Sequence, residues 1–489
     1  MSARLLRSTA TVVVLSCVAM PAVAQRSTLD RRVIPTAGTT PELRIPTWTK
    51  TTLTDGAQLV VSEKHNLPLV SVRINFIGGI DQFEPMNKAG LADLVEQMLI
   101  EGTTTRSGDE VVKGFQLLGT NLDVTLRGES GALSFQVTKD KLAPALALTA
   151  DVLLHPTFPA AALERLRGQA LVALTQSKDR TGSIASAVYP KVLYTNAHPY
   201  GRMTTEATLH AITRDDVVSF HRAYFQPGRA VITIVGDVTQ DAVNAELEKD
   251  FAGWARGGSV PNFSYPATPA PKASTIYLVD KPGAAQSSFA IGEVGPPRNT
   301  PDYYSLRVMN ALLGELFQSR LNHNIREEKG YSYGVFSRFG FGRGPGAFLA
   351  AGDIVTEKTD SALIEFMREL KDIRGSRPPT DDELAQAKAS LVQSLPAAFA
   401  SVEGVNRSIS SIYVEDLPDD YYQRFVRAVN AVTKDDVVRV ASKYIDPEHF
   451  TILIVGDRAK IEGPLAATKI APITLLDVNG DPVPKRITP

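Results

Sequence analysis

"AITRDDVVSFHRAYFQPGRAVITIVGDV", residues 211 to 238, returns as "AVTKDDVVRVASKYIDPEHFTILIVGDR", residues 431 to 458. The two stretches align without gaps at an offset of 220 residues, and about half of the positions are identical. Each copy reads the same way. A threonine, Thr213 or Thr433, stands where a helix N-cap belongs, and two aspartates in the first turn suit the positive end of the helix dipole. An amphipathic helix then runs to Tyr224 or Tyr444, a proline-containing turn follows, and a β-branched strand ends at "IVGD". A repeat of this length and register makes the chain a tandem duplication of two homologous domains.

The rest of the chain fits that frame. Its 489 residues, 43% hydrophobic and 21% charged, suit two ordinary globular domains. "GGSVPNFSYPATPAPKAS" (257–274) is rich in Pro, Ser and Ala without a periodic apolar face, and reads as a linker. The domains are therefore expected at 47–256 and 275–460, with a polar arm at 25–46 and a proline-punctuated tail at 461–489. "QLVVSEKH", "PLVSVRINFIGG" and "ALSFQVTKD" alternate like strands, whereas "GLADLVEQMLIEG" and "LAPALALTADVLLHP" have helical spacing. Strand pairs beside long helices predict an α+β class, each domain a mainly antiparallel sheet layered with helices.

Residues 1–24 read as a signal peptide. Arg4 and Arg7 form a basic n-region, "STATVVVLSCVAM" an apolar h-region, and "AVA" precedes Gln25 as a small-residue cleavage site. The apolar run is shorter than the roughly 20 residues a membrane span needs, so export to the periplasm is expected. Cys17, the only cysteine, lies inside the h-region, and "VLSC" matches a lipoprotein signal poorly. A processed chain has no thiol, hence no disulfide, Cys-zinc site or cysteine nucleophile. Without Arg4 and Arg7, 50 basic residues face 53 acidic ones, a balance that gives no support to binding of nucleic acid or anionic membranes.

"GGIDQFEPMNKAGLADLVEQMLIEGTTTRS", "LGTNLDVTLRGES", "DVLLHPTFP", "NAHPYGRMTTEA" and "SRLNHNIREEKGYSYGV" occur in this order. Together they resemble the insulinase/pitrilysin family of zinc peptidases, which includes mitochondrial processing peptidase-like proteins. The family's H-x-x-E-H motif sets two imidazoles four residues apart on one helix face beside a Glu general base, with a later Glu as third ligand. Bound zinc lowers the pKa of its water for attack on a peptide carbonyl. Here the first ligand position is Asp93 and the second is Gln97; only Glu96, at the general-base position, is kept. Matching "LERLRGQALVAL" to the family's helix puts the third ligand at Ala173, and no Asp or Glu lies between Glu164 and Asp179. Calcium or magnesium would want about six oxygen ligands, more than these positions offer. Read as bare residues, Asp93, Glu96 and Gln97 are a polar, hydrogen-bonded helix face. His65, His155, His198, His210, His221, His323 and His449 show no ligand-pair spacing, so no metal is expected in this chain.

Arg326 and Tyr333, seven residues apart across a helix end marked by Gly330, match the Arg/Tyr pair that family members carry opposite the zinc. The resemblance implies that Tyr333 donates to the scissile carbonyl oxygen and that Arg326 anchors the substrate backbone. Both are suitable donors where negative charge develops. The plainer reading is a packed tyrosine and an arginine paired with Glu327 or Glu328. In the family's two-chain members one subunit carries zinc and its partner lends Arg and Tyr. The resemblance thus implies a non-catalytic, substrate-binding subunit acting in trans in a heterodimer with a zinc-bearing homologue, on extended peptides. "NLDVTLR" (121–127) would be the strand edge that such peptides join. The alternatives are a scaffolding protein without a role in proteolysis, or a peptidase with an unrecognised metal site. "GFGRGPG" (340–346) lacks the Lys-Ser/Thr of a phosphate loop and reads as a hairpin or wall loop.

Overall fold

The computed structural model describes residues 43–483, so the expected signal peptide and most of the N-terminal arm lie outside the described residues. The first half supplies strands β1 (Thr49–Thr52), β2 (Gln58–Glu63), β3 (Leu69–Ile77), β4 (Asp123–Arg127), β5 (Ser130–Thr138) and β6 (Ala230–Gly236). Its main helices for function are α1 (Leu91–Met98), α2 (Ala160–Ser177), α3 (Thr181–Tyr194) and α4 (Arg214–Tyr224). The second half supplies β7 (Thr275–Asp280), β8 (Gln286–Val294), β9 (Ser332–Phe339), β10 (Ala347–Val355), β11 (Thr451–Gly456) and β12 (Ile473–Leu476). With them come α5 (Tyr303–Asn310), α6 (Val402–Val414), α7 (Lys434–Tyr444) and α8 (Arg458–Ala467).

Two six-stranded sheets result, in the orders β1-β2-β6-β3-β5-β4 and β12-β7-β11-β8-β10-β9. Each is mainly antiparallel: β2 pairs parallel with β6, β7 parallel with β11, and β3, β5, β8, β9 and β10 pair antiparallel with their neighbours. The repeated stretches 211–238 and 431–458 form α4–β6 and α7–β11. Thr213 and Thr433 both close capping boxes, each accepting from the N–H three residues on while Asp216 or Asp436 reaches back. The strands that follow are buried at every residue because each runs through the middle of its sheet.

The segment expected to be a tail after residue 460 is built into the second sheet. α8 runs on to Ala467, and β12 pairs in parallel with β7. β12 fills the outer position that β1 fills in the first sheet. Its short "ITLL", hemmed by prolines, carries too little pattern to announce a strand on its own.

The halves also exchange a helix. α3 belongs by sequence to the first half, yet Ile184, Val188 and Tyr189 pack on Ala290, Leu453 and Val455 of the second sheet. α6, about 220 residues later, returns the exchange: Val405 and Ile409 pack on Val60, Val231 and Val235 of the first sheet. Asn406, 1% exposed, pins α6 by donating to the carbonyls of Ser71 and Thr233, both at 2.8 Å. Full burial of a Val or Ile side chain contributes roughly 1.5–3 kcal/mol. The exchanged helices therefore make the halves one interlocked body.

Candidate functional site

α1 begins at Gly90, whose φ of +98° favours glycine, and a Cβ there would stand 2.9 Å from the methyl of Thr204. The Glu84 carboxylate accepts the N–H groups of Gly90 and Ala92, both at 3.0 Å, and so caps the helix. Leu91, Leu94, Val95 and Met98 face the core. Asp93, Glu96 and Gln97 are left on the side that meets β4.

At that side a guanidinium stands among the acids. Arg127 Nη1 lies 2.8 Å from Glu96 Oε2, 3.1 Å from Asp93 Oδ1 and 2.8 Å from the carbonyl of Leu126. Glu96 Oε2 also accepts the N–H of Leu126 at 2.8 Å. The Asp93 carboxyl is raised above its usual range by the protein packed around it, and Arg127 pulls it back. Gln97 turns its amide onto the Asp93 carbonyl at 3.1 Å, and Ala173 sits exposed on α2, which packs against α1.

This donor set does not fit zinc. One carboxylate is bound to a backbone N–H and a guanidinium, another is shared with the same guanidinium, and an amide and a methyl fill the remaining positions. Among the described residues, no group of three or more His, Cys, Asp or Glu side chains converges as a metal site. The positive charge at this place is the protein's own Arg127.

The same contacts affect the expected peptide-accepting edge. β4 forms a hairpin with β5 in which Leu126 faces Gly131 and Arg127 faces Ser130. Glu96 takes the N–H of Leu126, and Arg127 takes its carbonyl. A strand joining here would have to displace both. Sequence reasoning missed Arg127 because its partners lie about 30 residues away on another element.

The second half projects its candidate groups outward. Arg326 lies in a π-helical turn (His323–Glu328), and the Gly330 N–H closes onto the Arg326 carbonyl at 3.1 Å with a φ of +65°. The Arg326 guanidinium stacks over Phe317, 4.5 Å from the ring centroid, and its Nε lies 3.1 Å from Glu327. The plainer expectation, pairing with Glu327, thus describes its resting contact. Tyr333 is 88% exposed. The register explains why: Val335 faces Gly352 and Ser332 faces Ile354, so Tyr333 and Gly334 together oppose Asp353 as a bulge on an edge strand. The bulge pushes the phenol out of the sheet.

His198 is structural. It is 1% exposed and stacks on Tyr265 at 5.3 Å, and its Nδ1 accepts the Tyr200 N–H at 3.1 Å. Burial lowers its pKa. Beside it the Glu129 carboxylate gathers Tyr200 Oη at 2.6 Å, Tyr265 Oη at 2.9 Å, and the N–H groups of Arg343 and Gly344 at 2.5 and 2.6 Å. One side chain thereby ties together the β4–β5 turn, the linker and the glycine-rich loop. Two N–H groups of that loop, those of Arg343 and Gly344, are spent on Glu129, and the Gly340 N–H goes to the Ala347 carbonyl.

Two family models match the chain: "Insulinase (Peptidase family M16)" over residues 59–199 and "Peptidase M16 inactive domain" over residues 211–391. A Bacillus subtilis protein called uncharacterized zinc protease YmxG is 25% identical over 287 residues, 58% of this chain and 68% of that one. A Helicobacter pylori protein called non-peptidase homolog YmxG is 22% identical over 406 residues, 82% of this chain and 92% of that one. The crystal structure of a peptidase M16 inactive domain from Pseudomonas fluorescens is similar with a TM-score of 0.77 and 27% identity, covering 84% of this chain and 98% of that one.

Proposed function

Because the chain belongs to the insulinase family, peptidase family M16, we propose that it is a non-catalytic, substrate-holding subunit of a heteromeric metallopeptidase. The observation that carries this reading is Arg127. A guanidinium bound to Asp93 and Glu96 supplies the cation of the degenerate site, so water activation must come from another chain. The exposed Tyr333 and the half-exposed Arg326 are free to reach outward. In this reading a homologous, zinc-bearing partner cleaves an extended peptide. Tyr333 donates to the carbonyl oxygen as it gains charge, and Arg326 leaves Phe317 to hold the peptide backbone. The name non-peptidase homolog carried by the Helicobacter pylori relative is consistent with it. In this reading the assembly works in the periplasm, a setting that the basic and apolar pattern of residues 1–24 supports.

The test is to purify the chain alone and with a zinc-bearing homologue from the same cell. Cleavage is expected only from the mixture. Loss of one oxyanion donor costs about 10²–10³ in turnover, so Tyr333→Phe should slow the mixture by that factor without weakening the complex. Zinc-dependent cleavage by the chain alone, or a Tyr333→Phe mixture of undiminished turnover, would sink the reading.

A further inference from the structure

The exchanged helix α3 does not lie flat on the second sheet. Between them is a cavity of about 470 Å³, in the size range of ligand pockets. Its walls are mostly apolar: Tyr189, Leu193 and Tyr194 from α3, with Ala290, Leu349 and Phe336 from β8, β10 and β9. The space exists because Gly182, Ala185, Ala290, Ala347 and Ala351 are small. A Cβ added at Gly182 would meet no atom nearer than 3.7 Å. Arg338 and Asp353 supply the charge; Asp353 is held by Ser288, while Arg338 has no salt bridge among the described residues.

The duplication provides an internal control. The equivalent place in the first half, between α6 and β3, β5 and β4, is a smaller cavity of about 270 Å³. Its lining is polar and charged: Arg73, Asp123, Gln136, Glu403, Asn406 and Arg407. The same architecture is thus filled with charge in one half and kept apolar in the other. General packing of the fold does not require an apolar void there.

Position gives the void a use. Asp353, in the cavity wall, is the residue that the Tyr333–Gly334 bulge opposes. Phe336 is three residues along β9 from Tyr333, about 10 Å at a strand's rise. We propose that this cavity is a specificity pocket that receives a large apolar side chain, Phe, Leu or Met, of an extended peptide lying across Tyr333. The apolar side chain sits about three residues from the carbonyl at Tyr333. This rests on the substrate-holding reading above, but the binding it describes needs no partner and no cleavage.

The test uses the purified chain alone and two fluorescein-labelled decapeptides of Gly, Ser and Ala, one carrying a single central Phe and the other Ala at that place. Fluorescence anisotropy should give the Phe peptide an affinity about tenfold to a hundredfold higher, the value of burying one Phe. Ala351→Trp should fill the cavity from the sheet and erase the preference. Ser186→Trp, at an exposed position of α3 on the cavity wall, should do the same without touching the core, and covers the case in which Ala351→Trp fails to fold. Equal affinity for the two peptides, or a Phe preference that survives in folded Ser186→Trp, overturns the pocket. Cleavage by the mixture that still depends on Tyr333 would then leave the subunit reading standing. A Phe preference with no cleavage in any mixture would do the reverse.

Discussion

Glu129 is the side chain on which the junction between linker and halves should depend most. It accepts four hydrogen bonds, from Tyr200, Tyr265, Arg343 and Gly344. Hydrogen bonds to an ionised acceptor contribute about 1.5–3 kcal/mol each, and a buried donor left without a partner costs about 1–3 kcal/mol. A plain sum overshoots, because the four donors share one acceptor and the half-buried site admits water to some of them. Glu129→Ala should therefore cost about 3–5 kcal/mol, at the top of the range for single substitutions. Glu129→Gln keeps one good acceptor but turns an amide donor toward the remaining donors, and should cost about 2–3 kcal/mol. Urea unfolding followed by far-UV circular dichroism measures the loss. Trypsin provides a local reading, since Lys272 is exposed in the linker that Tyr265 fastens. Cleavage there should speed up in both variants. If Glu129→Ala shifts stability by less than about 1 kcal/mol and Lys272 is cut no faster, the junction is not held as described.

Asp81 should make stability depend on pH. Burial, and then repulsion from Glu129, push its carboxyl up to about 7. Between about pH 4 and 7 the folded chain holds a proton that the unfolded chain releases, so stability falls as pH rises through that window, by about 4 kcal/mol in all. Asp81→Asn should flatten this slope in a series of urea titrations. Asp302 works in the opposite sense: burial favours its neutral form, but hydrogen bonds from Lys443, Arg439 and Tyr444 outweigh that and hold it at about 2. Its contribution is present above about pH 4 and lost as pH falls toward 2, so the stability maximum should lie between the two regions. Thr213→Ala and Thr433→Ala remove equivalent caps, and each should cost about 1 kcal/mol by the same unfolding assay. Asn406→Leu leaves two carbonyls of the other half's sheet without their donor and should cost about 2–4 kcal/mol.

Local pattern carried the elements well. The capped helices after Thr213 and Thr433, the strands ending at "IVGD" and the helix at Leu91–Met98 stand where periodicity and capping residues put them. The substitutions at Asp93, Gln97 and Ala173 were also legible, since they need only a motif and its gaps. What could not be read is whatever depends on distant residues meeting. The helix exchange is one case: an amphipathic α3 needs an apolar surface, but its spacing does not say whose sheet provides it. The four-donor role of Glu129 is another, because a Gly-Glu turn has the same sequence whether or not a loop from the other half arrives. β12 was missed for a third reason, four residues being too short for alternation to register.

Glu96 shows how a kept motif residue can mislead. By sequence it is a general base whose metal-bound water is absent, a remnant of catalysis. In the fold it has two structural duties: it accepts the Leu126 N–H that the edge of β4 would leave open, and it balances Arg127. Both would hold Glu96 in place with no proton to abstract. They also join the helix to β4, through the Leu126 N–H and a guanidinium shared between two carboxylates, although the largely exposed Asp93–Arg127 pair contributes only about 0–1 kcal/mol. Glu96→Gln separates the duties: its amide oxygen still accepts the Leu126 N–H, while the charge facing Arg127 is gone. If Glu96 serves only the fold, that variant should leave cleavage by the assembled pair unchanged, and Tyr333→Phe should not.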